Sequence, residues 1–537
     1  MAVATAASLV VRVLLARTVV SPFIFQDEGG YVGVARLLAG DAPTLYGPTY
    51  LPGYGVLLAP AAAVLGPSGL QNAAQVLNAA AAAAVIPVLH LLGLRFAGLR
   101  PWLSAGVAVV GGTMAASVVQ ATMLLPEALL VLVVAVGVLA LHHALQRPSP
   151  GWAAAAGVVV GAGYAVHPRA IVGVVAVLVV AAAAWRLGAL PRRTAAVLAA
   201  AAVGTTVATQ VLHAWATAQL YPSGTKPSLA GSPLGALGEP VGAAVITAGQ
   251  TWYVVAASLG LVPLGLVAAA RTGWLERTGA RGLTAGFVVL GALGSLALGT
   301  IGSYDVGTGT DVTRADLPLY GRYLEQWVPV LVVLAPALVR RWVWPVAASV
   351  AAGVAAAAFA IHAMYPTATW RQPVAWHNIA SLQVPVDVFG RDHVRATGLV
   401  VALAVLGVGA VASRADRRWW LVPLGAVVAM NLVGGVALVR DWAGPSSEAW
   451  AARHRLGPVL AAADEVVWVD LDDDFDIFWA YNVQFWHPDV EVAYFDEAPP
   501  GGAALVLGTE AQPPVPGASL VATERDGDLG LWSLPSP

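Results

Sequence analysis

The chain has no cysteine in its 537 residues. That excludes a disulfide framework, a thiolate metal site and a cysteine nucleophile, so any part outside a membrane must be held by packing alone. Charge is scarce too: 11% of residues are Asp, Glu, Lys or Arg against 58% hydrophobic, with a mean hydropathy of +0.74. A soluble globular domain has no use for that much apolar surface, so an all-α polytopic membrane protein is expected. The phosphate-cradling pattern GxxxxGK[ST] does not occur, since Gly224-Thr225-Lys226 lacks its first glycine. No internal repeat is evident, which weighs against the matched halves of many transporters. A small-residue cleavage site is also missing from the opening MAVATAASLVVRVLLARTVV, which therefore reads as a retained first span.

What is there is a series of apolar stretches. Roughly 20 apolar residues cross a hydrocarbon core. On that rule about thirteen spans are expected, near 3–24, 72–95, 101–120, 124–145, 151–167, 169–187, 194–218, 251–271, 283–301, 323–340, 343–364, 394–412 and 418–440. Segment 53–66 is apolar but short and flanked by proline, and reads as an interfacial helix. With the N-terminus inside, about half of the 28 basic residues collect in short inner turns, as the positive-inside bias demands. The sequence then divides into a membrane domain, 1–440, and an outer α/β domain, 441–537, whose stretches DEVVWVDL, VEVAYFD, AALVLGT and SLVATE read as strands. Inner turns of about a dozen residues cannot hold a βαβ nucleotide-binding unit of some 30 residues. ATP-driven transport and cytosolic nucleotide-sugar chemistry are thereby excluded, and chemistry is expected on the outer face of a plasma membrane, with no nucleic-acid partner.

On that outer face Asp27-Glu28 follow the first span. Two carboxylates at a membrane exit are costly unless they meet water, a cation or a polar substrate. They serve either as a helix cap or as a base or metal ligand. Glu127, behind Pro126, is either a helix start or a second carboxylate in reach of the first. His167 and Arg169 share the next outer turn, where the guanidinium either binds phosphate or snorkels to lipid headgroups. Asp316, Tyr320, Arg322, Tyr323 and Glu325 gather at the mouth of the tenth span. His362, Trp370, Arg371, Trp376, His377, Asp392 and His393 mark a later outer loop, as a sugar-stacking surface or an interfacial aromatic belt. Arg12, inside the first span, needs an aqueous cavity or a polar partner, the partner expected being Asp27 or a lipid phosphate. The run Asp470, Asp472, Asp473, Asp474 and Asp476 reads as a solvated turn, because Phe475 stands where a calcium loop needs glycine.

The order of these motifs resembles the GT-C superfamily of polyprenyl-phosphate-sugar-dependent glycosyltransferases, and within it the family of protein O-mannosyltransferases and aminoarabinose transferases. The motifs are FQDEGGYVGVARLLAG, YGPTYLPGYGVLLAPAAAVLG, LLPEALL, HPRA and GRYLEQWVPVLVVLAP, covering about residues 1–340 in layout. The resemblance implies an inverting transfer from a polyprenyl-phosphate sugar to a cell-envelope glycan, lipid or protein acceptor, in contact with membrane lipids. It implies Asp27 as base or metal-associated group with Glu28 adjoining, and Glu127 as the second acidic residue, where Asp is commoner. Arg169, Arg322, His167 and Tyr323 would hold the donor phosphate. A divalent metal ion is left open as cofactor. A large sugar-binding insertion domain is not recognisable, which speaks against protein acceptors. The rival reading is a flippase for lipid-linked saccharide built on the same arginines.

Overall fold

Side chains that face outward along the long helices are apolar. Val211, Leu403 and Val433 are 66%, 66% and 61% exposed, an arrangement stable only where the surrounding solvent is lipid. The computed structural model describes residues 1–40, 50–220, 240–303, 319–364, 376–389, 393–414, 417–452, 459, 466–470, 481–482, 484–488, 490, 492–495, 505–509, 516–523 and 529–534. Among these, nine helices are long and apolar enough to cross a membrane, and shorter apolar helices lie between them.

The chain opens with α1 (Ala2–Ala16), α2 (Phe25–Ala39) and α3 (Gly53–Val64), the last where the interfacial helix was expected. The long helix α4 (Pro67–Arg95) is followed by α5 (Pro101–Gly112), α6 (Ala115–Gln120), α7 (Glu127–Gln146), α8 (Pro150–Val166), α9 (Ile171–Arg186) and α10 (Arg192–Leu220). After α11 (Pro240–Ser258), α12 (Leu261–Leu275) and α13 (Ala280–Gly302) come the single turn α14 (Arg322–Glu325) and α15 (Val328–Leu334). The helical part closes with α16 (Arg340–Met364), α17 (Gln383–Phe389), α18 (Val394–Ala412), α19 (Leu421–Leu438) and α20 (Gly444–Ala452).

Three expected spans are interrupted. The stretch 251–271 divides between α11 and α12, because Leu259 and Gly260 take φ of 47° and 87°. Ser258 Oγ accepts the orphan amide of Val262 at 3.1 Å, which keeps this break tolerable. The stretch 323–340 divides into α14, α15 and a 3₁₀ turn, Ala335–Ala337. The stretch 101–120 breaks after Gly112, and that break explains Arg12. Its guanidinium donates to the freed Gly112 carbonyl at 2.5 Å and to Ser117 Oγ at 3.3 Å, and also bonds Ser8 Oγ. The expected partners, Asp27 or a lipid phosphate, are replaced by a helix end: Arg12 is 1% exposed and satisfies a backbone group that apolar surroundings would leave bare.

The C-terminal part carries a mixed five-stranded sheet, ordered β2-β1-β3-β5-β4. Strands β1 (Val467–Asp470), β2 (Val492–Phe495) and β3 (Leu505–Thr509) are parallel, with Val467 opposite both Val492 and Leu505. Strands β4 (Ser519–Thr523) and β5 (Leu529–Ser533) complete it antiparallel, Leu505 pairing with Ser533. The fifth strand adds to the four expected from the sequence. Asp472 to Asp476 lie outside the described residues.

This part grips the start of the chain. Ser447 Oγ accepts from the amides of Val20 (2.6 Å) and Ser21 (2.8 Å). Arg36 of α2 donates to the carbonyls of Gln484 (2.6 Å) and Phe485 (2.5 Å), and its guanidinium lies 5.5 Å from the Phe485 ring centre.

Candidate active site

The two carboxylates in the first turn of α2 do different things. Glu28 turns back on its own helix. One oxygen accepts from the amides of Phe23 (2.8 Å) and Ile24 (2.7 Å), the other from Leu124 N at 2.9 Å. Burial pushes its carboxyl above the usual range, though the three amides offset part of that and neighbouring Asp27 adds to it. Glu28 is therefore a cap that also staples α2 to the turn preceding α7. Gln75 and Asn78 of α4 hold the same turn, donating to the carbonyls of Thr122 (3.0 Å), Met123 (2.8 Å) and Leu125 (2.9 Å).

With that turn fixed, Glu127 and Asp27 face one cation. Arg322 Nη1 lies 2.5 Å from Asp27 Oδ2, while its Nε (2.7 Å) and Nη2 both donate to Glu127 Oε1. Arg169 approaches the same Glu127 oxygen from the other side at 3.4 Å, and its Nε donates to Gln326 Oε1 at 2.9 Å. Burial works against the charge on both Arg322 and Asp27, but their mutual attraction prevails. The guanidinium, between Glu127 and Asp27, is held well above its ordinary pKa. The Asp27 carboxyl, helped by the Tyr50 hydroxyl that donates to its other oxygen, is held below the usual range. Glu127, Arg169 and Arg322 side chains are 1%, 3% and 5% exposed, whereas Asp27 is 22% exposed. Asp27 is thus the open edge of an otherwise buried quartet. Glu127 Oε2 and the Tyr31 hydroxyl are buried without a hydrogen-bond partner among the described residues, the kind of unspent polar group expected where a polar ligand completes a site.

The other expected residues fall nearby. His167 Nδ1 accepts from Arg169 N at 3.2 Å, and its ring lies 6.4 Å from Tyr50, which stacks on Tyr31 at 4.7 Å. Tyr323 points elsewhere: its side chain packs against Gly299 and Gly302 at the end of α13. Glu325 is buried and bonds Tyr253 and Gln120, the latter at 2.8 Å. His377 is buried and stacks on Trp442 at 6.0 Å. Asp316, Trp370, Arg371 and Asp392 lie outside the described residues. Tyr50 and Gln326 were not anticipated, although Gln326 stands one helical turn beyond Arg322 and so on its face.

A divalent cation fits this donor set poorly. Both Asp27 oxygens and one Glu127 oxygen are already engaged by Arg322, Tyr50 and Arg169, so a metal would share its ligands with two guanidinium groups. Among the described residues no three His, Asp or Glu side chains gather as a metal site.

Together these features define a multi-pass membrane protein with an appended sheet and a buried carboxylate–guanidinium cluster at one end of its helices. No protein-family profile and no curated protein matches the sequence. Among solved structures the chain is similar to ArnT from Cupriavidus metallidurans bound to undecaprenyl phosphate, at 16% identity and a TM-score of 0.54, with 99% of this chain and 97% of that one covered. The apo state of the same protein gives 0.53 at the same identity and coverage. The fold is therefore similar to that of ArnT over nearly the whole length of both chains.

Proposed function

We propose that this protein is a lipid-linked-sugar glycosyltransferase that moves a sugar from a polyprenyl-phosphate donor to a hydroxyl of a cell-envelope acceptor, on the outer face of a plasma membrane. The observation that carries the reading is Arg322, clamped between the buried Glu127 and the partly open Asp27 with Arg169 beside it. A helix cap or a snorkelling arginine requires none of this. The ArnT structure of the same fold holds undecaprenyl phosphate, the class of amphiphile two guanidinium groups at a membrane boundary would recognise.

In this mechanism the donor phosphate draws Arg322 and Arg169 onto its oxygens. Asp27, relieved of its cation, becomes a stronger base at the moment the donor is seated. It takes the proton of the acceptor hydroxyl, whose oxygen attacks the anomeric carbon as the bond to the phosphate oxygen breaks. Polyprenyl phosphate leaves with that electron pair and needs little protonation. Attack opposite the leaving group inverts the anomeric centre. Glu127 bridges the two arginines through one oxygen, and Glu28 fixes the helix that carries Asp27. His167 braces the Arg169 turn.

The test is transfer of labelled sugar from polyprenyl-phosphate hexoses and pentoses to membrane acceptors by protein reconstituted in vesicles. Asp27→Asn is expected to lower transfer by roughly 10²–10⁴-fold, the usual worth of a general base, with membrane insertion preserved. Full activity in that variant would overturn the role of Asp27. Movement of the donor across the bilayer without transfer would support the flippase.

A further inference from the structure

A cleft of about 330 Å³ opens between the end of α16 and the start of α18, lined by Phe359, His362, His393, Val394, Arg395, Ala396 and Leu399. It falls within the roughly 300–1,000 Å³ typical of small-ligand pockets, and none of the quartet described above lines it.

Its position follows from close packing. A Cβ added at Gly398 would meet Ala358 of α16 and Trp252 of α11, and Tyr253, the next residue, bonds Glu325 on the turn bearing Arg322. The cleft therefore lies at the same end of the helices as the carboxylate–guanidinium cluster.

Its chemistry is graded. Three nitrogen-bearing side chains, His362, His393 and Arg395, stand at the helix ends, and among the described residues no acidic side chain lines the cleft. One turn further along the helices the exposed side chains are Phe359 (49%), Leu399 (43%) and Leu403 (66%), with Leu399 and Leu403 stacked on one face. Arg395 is also placed against electrostatic expectation. It sits in the first turn of α18, which has no acidic residue and no side-chain cap, so a cation stands at the positive end of the helix dipole. An anion in the cleft would satisfy both.

We propose that this cleft is a binding site for one anionic phospholipid. Its headgroup phosphate is held by Arg395 and the ring N–H groups of His362 and His393, and an acyl chain lies along Phe359, Leu399 and Leu403. A free phosphate has no use for the apolar wall, and a zwitterionic lipid brings a cation to Arg395. The proposal holds whether or not the chain transfers a sugar.

Native mass spectrometry of the full chain in detergent, titrated with phosphatidylglycerol, phosphatidylcholine or inorganic phosphate, tests it. One phosphatidylglycerol adduct is expected, at least tenfold tighter than phosphatidylcholine and not displaced by inorganic phosphate. His393→Gln with Arg395→Gln should weaken it more than fivefold, one arginine near an anionic surface being worth about fivefold and the lost imidazole N–H adding to that. Arg395→Gln alone, at an exposed position, should give a smaller loss with an unchanged melting temperature. Arg186→Gln, an exposed arginine on α9, should leave the adduct intact. Equal binding of both lipids, displacement by phosphate, undiminished binding in the double variant, or an equal loss in Arg186→Gln would each overturn the proposal.

Discussion

Because Arg322 lies against both Asp27 and Glu127, its removal takes the nearest cation from both carboxylates at once. Arg322→Gln leaves Glu127 buried with Arg169 3.4 Å away as its remaining ion-pair partner. Breaking such a pair costs about 3–5 kcal/mol, so a large fall in melting temperature and loss of transfer are expected. Adding Glu127→Gln should recover much of the stability and none of the transfer, separating burial energetics from function. If the double variant melts as low as the single one, the clamp is not what stabilises this end of the molecule.

Asp27 adds a pH signature. Its folded pKa lies below the unfolded value of about 4, so its contribution to stability is fully present above that value. It is lost as pH falls through the depressed folded value. The melting-temperature gap between the native chain and Asp27→Asn should thus stay constant from neutral pH down to about pH 4 and shrink below it. A gap that closed between pH 7 and 5 would mean that Asp27 is not ion-paired. The residue types of this site were legible in the sequence: Asp27, Glu127, Arg169 and Arg322 are each odd at a membrane boundary. Their meeting was not legible, because it depends on Glu28, Gln75 and Asn78 pinning one turn. Nor could the sequence divide the roles of Asp27 and Glu28, since adjacent carboxylates differ only in which way each side chain turns.

At the scale of elements, apolar periodicity located the helices but missed the breaks within them. Residues 101–120 carry only scattered polar side chains, and Gly111-Gly112 is one glycine signal among many in a chain with 57 glycines, so composition alone does not mark Gly112 as a helix end. The signal was Arg12 on another helix, whose need for an acceptor is met by the freed carbonyl. Helix α4 carried a readable clue in Gln71, Gln75 and Asn78, a polar stripe at helical spacing within an apolar span. Helix α2 is set from its other side by close packing. A Cβ on Gly29 would come within 2.8 Å of the buried Tyr481 ring. Gly29→Ala is expected to cost about 1–3 kcal/mol through overpacking and to displace Asp27, lowering transfer. Tyr481→Ala in the same chain should restore part of both. A double-mutant cycle measures this coupling, and strictly additive effects would show that Tyr481 does not set the position of α2.

The whole molecule is less divisible than its composition. The change after residue 440 from apolar helices to a mixed sheet reads as a boundary, yet bonds that cross it hold the ends of α1 and α2. Ser447 takes the amides of Val20 and Ser21, and two backbone carbonyls beside Phe485 take the guanidinium of Arg36, a residue 4% exposed. A chain ending at residue 440 would take two carbonyl acceptors away from that buried guanidinium. Hydrogen bonds to a charged group contribute about 1.5–3 kcal/mol each, and the loss falls on the helix that carries Asp27. The shortened chain should therefore insert, since its apolar spans are intact, but melt at lower temperature and lose transfer by more than tenfold. Supplying 441–537 as a separate polypeptide should restore little, because Ser447 must reach the α1–α2 connection at the high effective concentration that the covalent link provides. Transfer and melting temperature measured on the full, shortened and mixed chains decide the point: full activity in the shortened chain would mean that α2 holds its place without the sheet.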